Sequence, residues 1–185
     1  YPLETFNTNT IGSINLLESI KNYKKKLAVI MVTSDKCYYP TVKGYYKENS
    51  TLGGMEPYGA SKAMAEIATK SYYESYLKKN KKINLVTVRA GNVIGGGDWS
   101  KDRLIPDVLR SYNQGDQVVI RNPKATRPWQ HVIEPLSGYL ILAEELYSRG
   151  SALAEPFNFG PRDEDCQSVE SILNTINIIW KDCPG

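Results

Sequence analysis

The sequence has no apolar run near the ~20 residues that a membrane-spanning helix requires, so no membrane association is expected. Its first residues do not form the basic and then apolar stretch of a secretory leader, and none is expected. There is one histidine, His131, which excludes a multi-histidine metal centre, and no metal is expected. The three cysteines (Cys37, Cys166 and Cys183) are an odd number without ligand spacing. They suit a reduced, cytoplasmic protein better than a disulfide scaffold. A net charge of +3 is too mild to argue for a nucleic-acid partner. The lysines gather at 21–26 and 78–82, where helical patterns close and cations oppose the helix dipole favourably.

What is present is enough for one sizeable domain or two interleaved lobes: 185 residues, 41% of them hydrophobic. Residues 1–8 carry neither a cap nor a strand signal. A helix is predicted over 9–23 through Ile11, Ile14, Leu17 and Ile20. Residues 27–32 form a short continuous apolar run, as in a parallel strand buried on both faces. Polar residues 33–38 follow at its carboxyl end, where open α/β sheets build their sites. A loop rich in Gly, Tyr and Lys leads to Pro57, then a helix over 58–79 and a strand over 83–89. That order predicts a parallel unit with a right-handed crossover.

Beyond the break at Gly95-Gly-Gly97 the pattern predicts a helix over 102–112, a short strand over 117–121, a helix over 135–147 and a strand over 157–159. Val169, Ile172, Leu173, Ile176, Ile179 and Trp180 trace a last helical stripe behind Ser168, an N-cap candidate. The class is therefore α/β. We expect part of a Rossmann-type, doubly wound parallel sheet with a smaller substrate-binding lobe. The sheet domain should take 1–95 and 133–160, the lobe 96–132 and 161–185. A dinucleotide-binding sheet opens with a strand, a Gly-x-Gly-x-x-Gly turn and an acidic residue about 20 positions on, and nothing before residue 58 offers these. The chain is thus expected to lack the amino-terminal half of such a sheet.

Tyr58-Gly-Ala-Ser-Lys62 carries the most chemistry. Residues four apart share a helix face, so Tyr58 and Lys62 can point into one cleft. An ammonium one turn away favours a phenolate, which makes tyrosine usable as a base. The pair reads as a proton-transfer unit beside a hydroxyl that is to become a carbonyl.

With Asn9 in Asn-Thr-Ile-Gly, Ser34-Asp35 after a buried strand and Arg89-Ala-Gly-Asn92-Val-Ile-Gly, this motif resembles the extended short-chain dehydrogenase/reductases, the NAD-dependent epimerase/dehydratase family. Longer stretches are similar to its CDP-glucose 4,6-dehydratase branch. They are Thr33-Ser-Asp-Lys-Cys-Tyr38, Arg89-Ala-Gly-Asn-Val-Ile-Gly-Gly-Gly-Asp-Trp99, Asp102-Arg-Leu-Ile-Pro-Asp107, Arg127-Pro-Trp-Gln-His131 and Asn158-Phe-Gly-Pro-Arg-Asp-Glu-Asp165.

The resemblance implies NAD as cofactor and CDP-glucose as substrate. It implies a catalytic set of Ser34, Asp35, Lys36, Tyr58 and Lys62, with Asp35 as the dehydratase acid. Asn9, Thr33, Tyr58, Lys62 and Arg89 are expected near the cofactor, Asn9 chiefly to fix backbone there. Asn92, Arg103, Arg121, Arg127 and Asn158 are expected on the sugar nucleotide. A homodimer through helices 9–23 and 58–79 is also implied. The broader sugar-nucleotide dehydratase pattern has Glu after the catalytic Asp, whereas this chain has Lys36. Two readings of Lys36 stay open: a neutral base for the C5 proton, or a charged lysine that orients Asp35. Other readings of the whole are a 4-epimerase or decarboxylase on the same fold, and a non-catalytic nucleotide sensor. Asp35 argues against a simple epimerase, which needs no such acid.

Overall fold

The computed structural model describes residues 1–40, 45–150 and 155–180. Cys183 and residues 41–44 of the expected loop lie outside them. The chain divides into two compact units, one of residues 1–91 and 135–159, the other of 92–134 and 160–185.

The first unit opens with a helix already at Pro2, earlier than the pattern predicted: α1 (Pro2–Phe6), a π-helical turn (Asn7–Ile11) and α2 (Gly12–Ile20). Proline at the first helical position has its φ preset for a helix and gives up an N–H that would be unbonded there in any case, so no polar cap is needed. β1 (Leu27–Val32) and β2 (Ile83–Ala90) pair in parallel from Leu27 opposite Ile83 to Val32 opposite Val88. β6 (Phe157–Phe159) adds to the other side of β2, giving the order β1-β2-β6. α3 (Pro57–Tyr72) connects the first two strands and widens into a π-helical turn at Tyr73–Leu77. α5 (Ile133–Arg149) precedes β6.

Helices cover both faces of this sheet. On one face, Leu17 and Ile20 of α2 and Leu77 pack on Val29, Met31, Ile83 and Leu85. On the other, Leu142 and Leu146 of α5 pack on Val86 and Val88. Both faces of β2 are therefore buried, which is why 83–90 reads as a strand without a polar face.

In the second unit, β3 (Val93–Ile94) pairs in parallel with β5 (Gln130–His131), and β4 (Thr126–Arg127) antiparallel with β7 (Gln167–Ser168). α4 (Leu104–Gln114) ends at Gly115, whose left-handed φ of 71° suits a residue without a Cβ. α6 (Val169–Ile179) begins where predicted: the Ser168 hydroxyl accepts the Ser171 N–H at 3.1 Å. The strand predicted over 117–121 is absent. Val118 and Ile120 are half-buried and Val119 is 87% exposed, the alternation of a strand, but no strand lies alongside among the described residues. Without a ladder partner the alternation yields only an extended segment.

Candidate active site

β1 ends where Ser34 turns the chain. Its hydroxyl accepts the Lys36 N–H at 3.2 Å and caps a 3₁₀ turn, Asp35–Cys37. The same hydroxyl donates to Asp35 Oδ1 at 3.1 Å, and Lys36 Nζ donates to Oδ2 at 3.0 Å. Both Asp35 oxygens are thus engaged. The Lys36 side chain is 53% exposed, so this ion pair is worth at most about 1 kcal/mol.

α3 starts beside this turn. Pro57 takes its first position, and the Glu56 carboxylate accepts the Tyr58 N–H at 2.7 Å and the Gly59 N–H at 2.5 Å. Those bonds satisfy two of the donors that a helix start leaves open. Lys62, one turn on, places its Nζ 5.8 Å from the centre of the Tyr58 ring and 3.4 Å from the Val32 carbonyl. Burial holds the Lys62 ammonium below the ordinary lysine pKa.

Turn and helix meet at backbone distance. A Cβ on Gly59 would come within 2.6 Å of the Lys36 carbonyl, and one on Gly54 within 2.1 Å of the Gly59 carbonyl carbon. Only glycine permits that approach. Cys37, fully buried, packs with Ala63 of α3, and burial pushes its thiol up to about 12. The N-terminal helix supports the other side of this start. Asn9 donates to the Ser61 hydroxyl at 3.0 Å, Thr10 to the Ser61 carbonyl at 3.1 Å, and Ser61 in turn to the Tyr58 carbonyl at 2.7 Å. Asn9 therefore fixes backbone between Tyr58 and Lys62.

Behind the site lies a buried polar network. Glu66, 4% exposed, sits one turn beyond Lys62. Its carboxylate accepts from the Thr33 hydroxyl, from the Thr87 hydroxyl at 2.7 Å, and from Arg89 Nε at 2.9 Å and Nη2 at 2.7 Å. Arg89 Nη1 donates to the Tyr38 hydroxyl at 2.7 Å and the Glu48 carbonyl at 2.9 Å. Burial works against the guanidinium's charge, but the bonds to Glu66 and Tyr38 outweigh it and hold its pKa above the ordinary arginine value.

Two residues expected on ligands bond internal groups in this way. Arg89, expected near the cofactor, is buried and has all three of its nitrogens bonded inside the protein. Asn158, expected on the sugar nucleotide, accepts from the Tyr38 hydroxyl at 2.6 Å and donates to the Tyr46 carbonyl at 3.0 Å, while its N–H bonds Glu48 at 3.0 Å. Arg89 places its hydrogen bonds on internal groups because a buried polar atom must find partners. Asn158, half-buried, bonds the same network through Tyr38. Thr33 likewise turns inward, to Glu66.

Four expected residues belong to the second unit. The Asn92 carbonyl accepts the Gln130 N–H at 3.0 Å, and Arg103 precedes the first turn of α4. Arg121 and Arg127 are exposed, Arg127 on β4 with Nη1 bonded to the Thr126 carbonyl at 3.0 Å. An open cleft of about 860 Å³ in the first unit borders Glu66, Thr87, Arg89 and Glu48, and Tyr58, Lys62 and the 34–37 turn do not line it. Sequence reasoning missed Glu66, Tyr38 and the Glu56 cap. The signal for Glu66 was available: 58, 62 and 66 continue one helix face at a spacing of four. Among the described residues no cluster of His, Cys, Asp or Glu could hold a metal, and no helix is long and apolar enough to cross a membrane.

Comparison with known proteins shows the family and the fold. The profile of the NAD dependent epimerase/dehydratase family matches residues 1–158. CDP-glucose 4,6-dehydratase of Salmonella typhimurium is 49% identical over 98% of this chain and 52% of its own length. Among solved structures, dTDP-glucose 4,6-dehydratase from Bacillus anthracis, in complex with NAD, aligns with a TM-score of 0.77 and 23% identity, over 98% of this chain and 55% of that one. UDP-glucuronic acid 4-epimerase from Bacillus cereus, in complex with UDP-glucuronic acid and NAD, aligns at 0.80 and 19% identity, over 95% and 52%. These likenesses show the Rossmann-type fold. The chain spans about half the length of the relatives it matches. It belongs to the NAD dependent epimerase/dehydratase family.

Proposed function

We propose that the enzyme carrying this chain is a CDP-glucose 4,6-dehydratase, which converts CDP-glucose to CDP-4-keto-6-deoxyglucose and water. The observation that carries the reading is the packing of the Ser34-Asp35-Lys36 turn on the start of the helix that holds Tyr58 and Lys62. It joins a group suited to sugar oxidation to a carboxyl group suited to expelling a hydroxyl. The identity to the Salmonella dehydratase supports it, and an epimerase would have no use for the acid.

NAD, when bound, would supply the hydride acceptor for C4 and the hydride donor for C6. The half-buried Lys62 Nζ fits the nicotinamide ribose, since among the described residues it faces a carbonyl and no carboxylate. Asn9 steadies the backbone beside it. Tyr58, as base, takes the C4 hydroxyl proton, and Ser34 steadies the C4 oxygen. The C4 ketone acidifies C5–H. A base takes that proton as the C6 hydroxyl leaves and returns it to C5 as hydride enters C6, a role open to Lys36 once it parts from Asp35. Asp35 delivers a proton to the departing C6 hydroxyl, for which it must first hold one and part from Lys36. The ion pair supports a Lys36 that orients Asp35, and removal of the C5 proton by Lys36 would require that pair to open. Asn92, Arg103, Arg121 and Arg127 are the residues we assign to the sugar nucleotide.

Exposed apolar side chains support a homodimer through the N-terminal helix and α3. They include Leu3, Ile11 and Leu16 on the first, Met64 and Ile67 on the second. Sedimentation velocity on the full-length enzyme reads that state, and a monomer at micromolar concentration would remove it. An odd number of cysteines without ligand spacing is what supports a cytoplasmic location.

Tyr58→Phe in the full-length enzyme tests the function. Formation of the dehydrated product, followed by mass spectrometry, should fall at least ~10²-fold, the usual scale for loss of a general base, with CDP-glucose binding retained. Near-normal turnover in that variant would move the role elsewhere. A wild-type enzyme that interconverts CDP-glucose with its C4 epimer, with no loss of water, would establish the epimerase reading instead.

A further inference from the structure

We propose that Glu66 is a positioning residue which, with Arg89, clamps the Ser34-Asp35-Lys36 turn at both ends and registers it against the helix that carries Tyr58 and Lys62. The proposal rests on the functional reading above for what the turn does, but its geometry stands separately.

The turn, taken with Cys37 as the four residues 34–37, has two anchor points in sequence, the residue before it and the residue after it. Thr33, before it, donates its hydroxyl to the Glu66 carboxylate. Tyr38, after it, accepts at 2.7 Å from Arg89, and Arg89 is bonded through two nitrogens to that same carboxylate. One buried ion pair therefore grips both ends of a four-residue segment, while Gly59 and Ala63 of α3 press on its middle. Thr87 adds a further bond from β2 to the carboxylate at 2.7 Å. Glu66 is on α3, one turn from Lys62 and two from Tyr58, so the strand end and the helix share a single fixed point.

A hydrophobic contact cannot serve in this way, because apolar packing is non-directional. Bidentate arginine–carboxylate pairing fixes orientation as well as distance. A carboxyl that must reach a sugar hydroxyl needs that precision, since displacement of about 1 Å can cost ~10²-fold in rate.

Cys37 supplies the test. It lies inside the clamped segment and is fully buried, so its alkylation requires the turn to open. Glu66→Gln and Tyr38→Phe are made in the full-length enzyme, and N-ethylmaleimide labelling of Cys37 is followed by peptide mass mapping. Both variants should label Cys37 faster by about tenfold or more, as expected when a local opening becomes easier. Tyr38→Phe keeps the Glu66–Arg89 pair and the ring stack on Tyr46, so it reports on the clamp even if Glu66→Gln folds poorly. Leu146→Ala, in the core on the opposite face, is the control for global loss of stability.

If the clamp variants label no faster than Leu146→Ala at matched distance below their melting temperatures, the proposal fails. In the activity arm, Glu66→Gln should lower kcat for dehydration with little change in CDP-glucose affinity. Faster labelling with unchanged kcat would equally overturn the positioning role. A wild-type enzyme that does not dehydrate CDP-glucose would refute the functional reading, while the labelling rates would still decide the clamp.

Discussion

The two faces of the three-stranded sheet are buried to a similar degree by different physics. Toward α5, β2 presents Val86 and Val88 to Leu142 and Leu146. On the other face, the same strand presents Ile83 and Leu85 to α2 and Leu77, then Thr87 and Arg89 to Glu66 of α3, and β1 runs in parallel from Val29 and Met31 to Thr33. One face is apolar at Val86 and Val88, with a single buried polar side chain among the described residues, Asn84, at the start of β2 beside Gly150. The other changes from apolar to hydrogen-bonded toward the carboxyl ends of the strands, below the Ser34 turn. Apolar burial yields stability without direction. A charged network stabilises little on balance, because desolvation offsets attraction, but its geometry is specific. The face that carries the polar network is the face that supports the candidate chemistry.

Breaking the ion pair tests this contrast most severely. Arg89→Met leaves the Glu66 carboxylate buried without its counter-ion and should cost about 3–5 kcal/mol in denaturant unfolding. Adding Glu66→Leu should restore much of that stability, since replacing both partners removes the stranded charge, but should not restore dehydratase activity. Full recovery of both would mean that the network has no positional role.

On the apolar face, Leu146→Ala removes a fully buried side chain and should cost about 2–5 kcal/mol. The folded fraction should turn over at close to the wild-type rate. A fall in kcat similar to that of the network variants would erase the distinction between the faces.

The smallest expected effect is at the start of α3. Glu56→Ala removes a cap on the Tyr58 and Gly59 N–H groups and should cost about 0.5–2 kcal/mol. Because this cap sets the helix turn that holds Tyr58, kcat should fall further than so small a stability change suggests, and the two are measured on the same preparation.

By itself the sequence determined the α/β class, the parallel pairing of 27–32 with 83–89, the last helix behind Ser168, and the Tyr58/Lys62 pair. These follow from periodicity, caps and motif spacing, which are local properties of the chain. It also pointed to the polar residues after β1 as a site, because strand ends are where such sheets place one. The helix at residues 2–6 escaped notice because proline can start a helix without a polar cap. The strand expected at 117–121 failed because alternation becomes a strand only beside another.

Tertiary structure alone decided the fate of Arg89 and Asn158. Their types and motifs suit ligand contacts, but the groups that take up their hydrogen bonds are remote in sequence. Glu66 lies 23 residues from Arg89, and Tyr38 lies 51 from Arg89 and 120 from Asn158. Whether a polar side chain faces a ligand or the interior depends on which unbonded partners the fold brings within about 3 Å, and no local pattern encodes that.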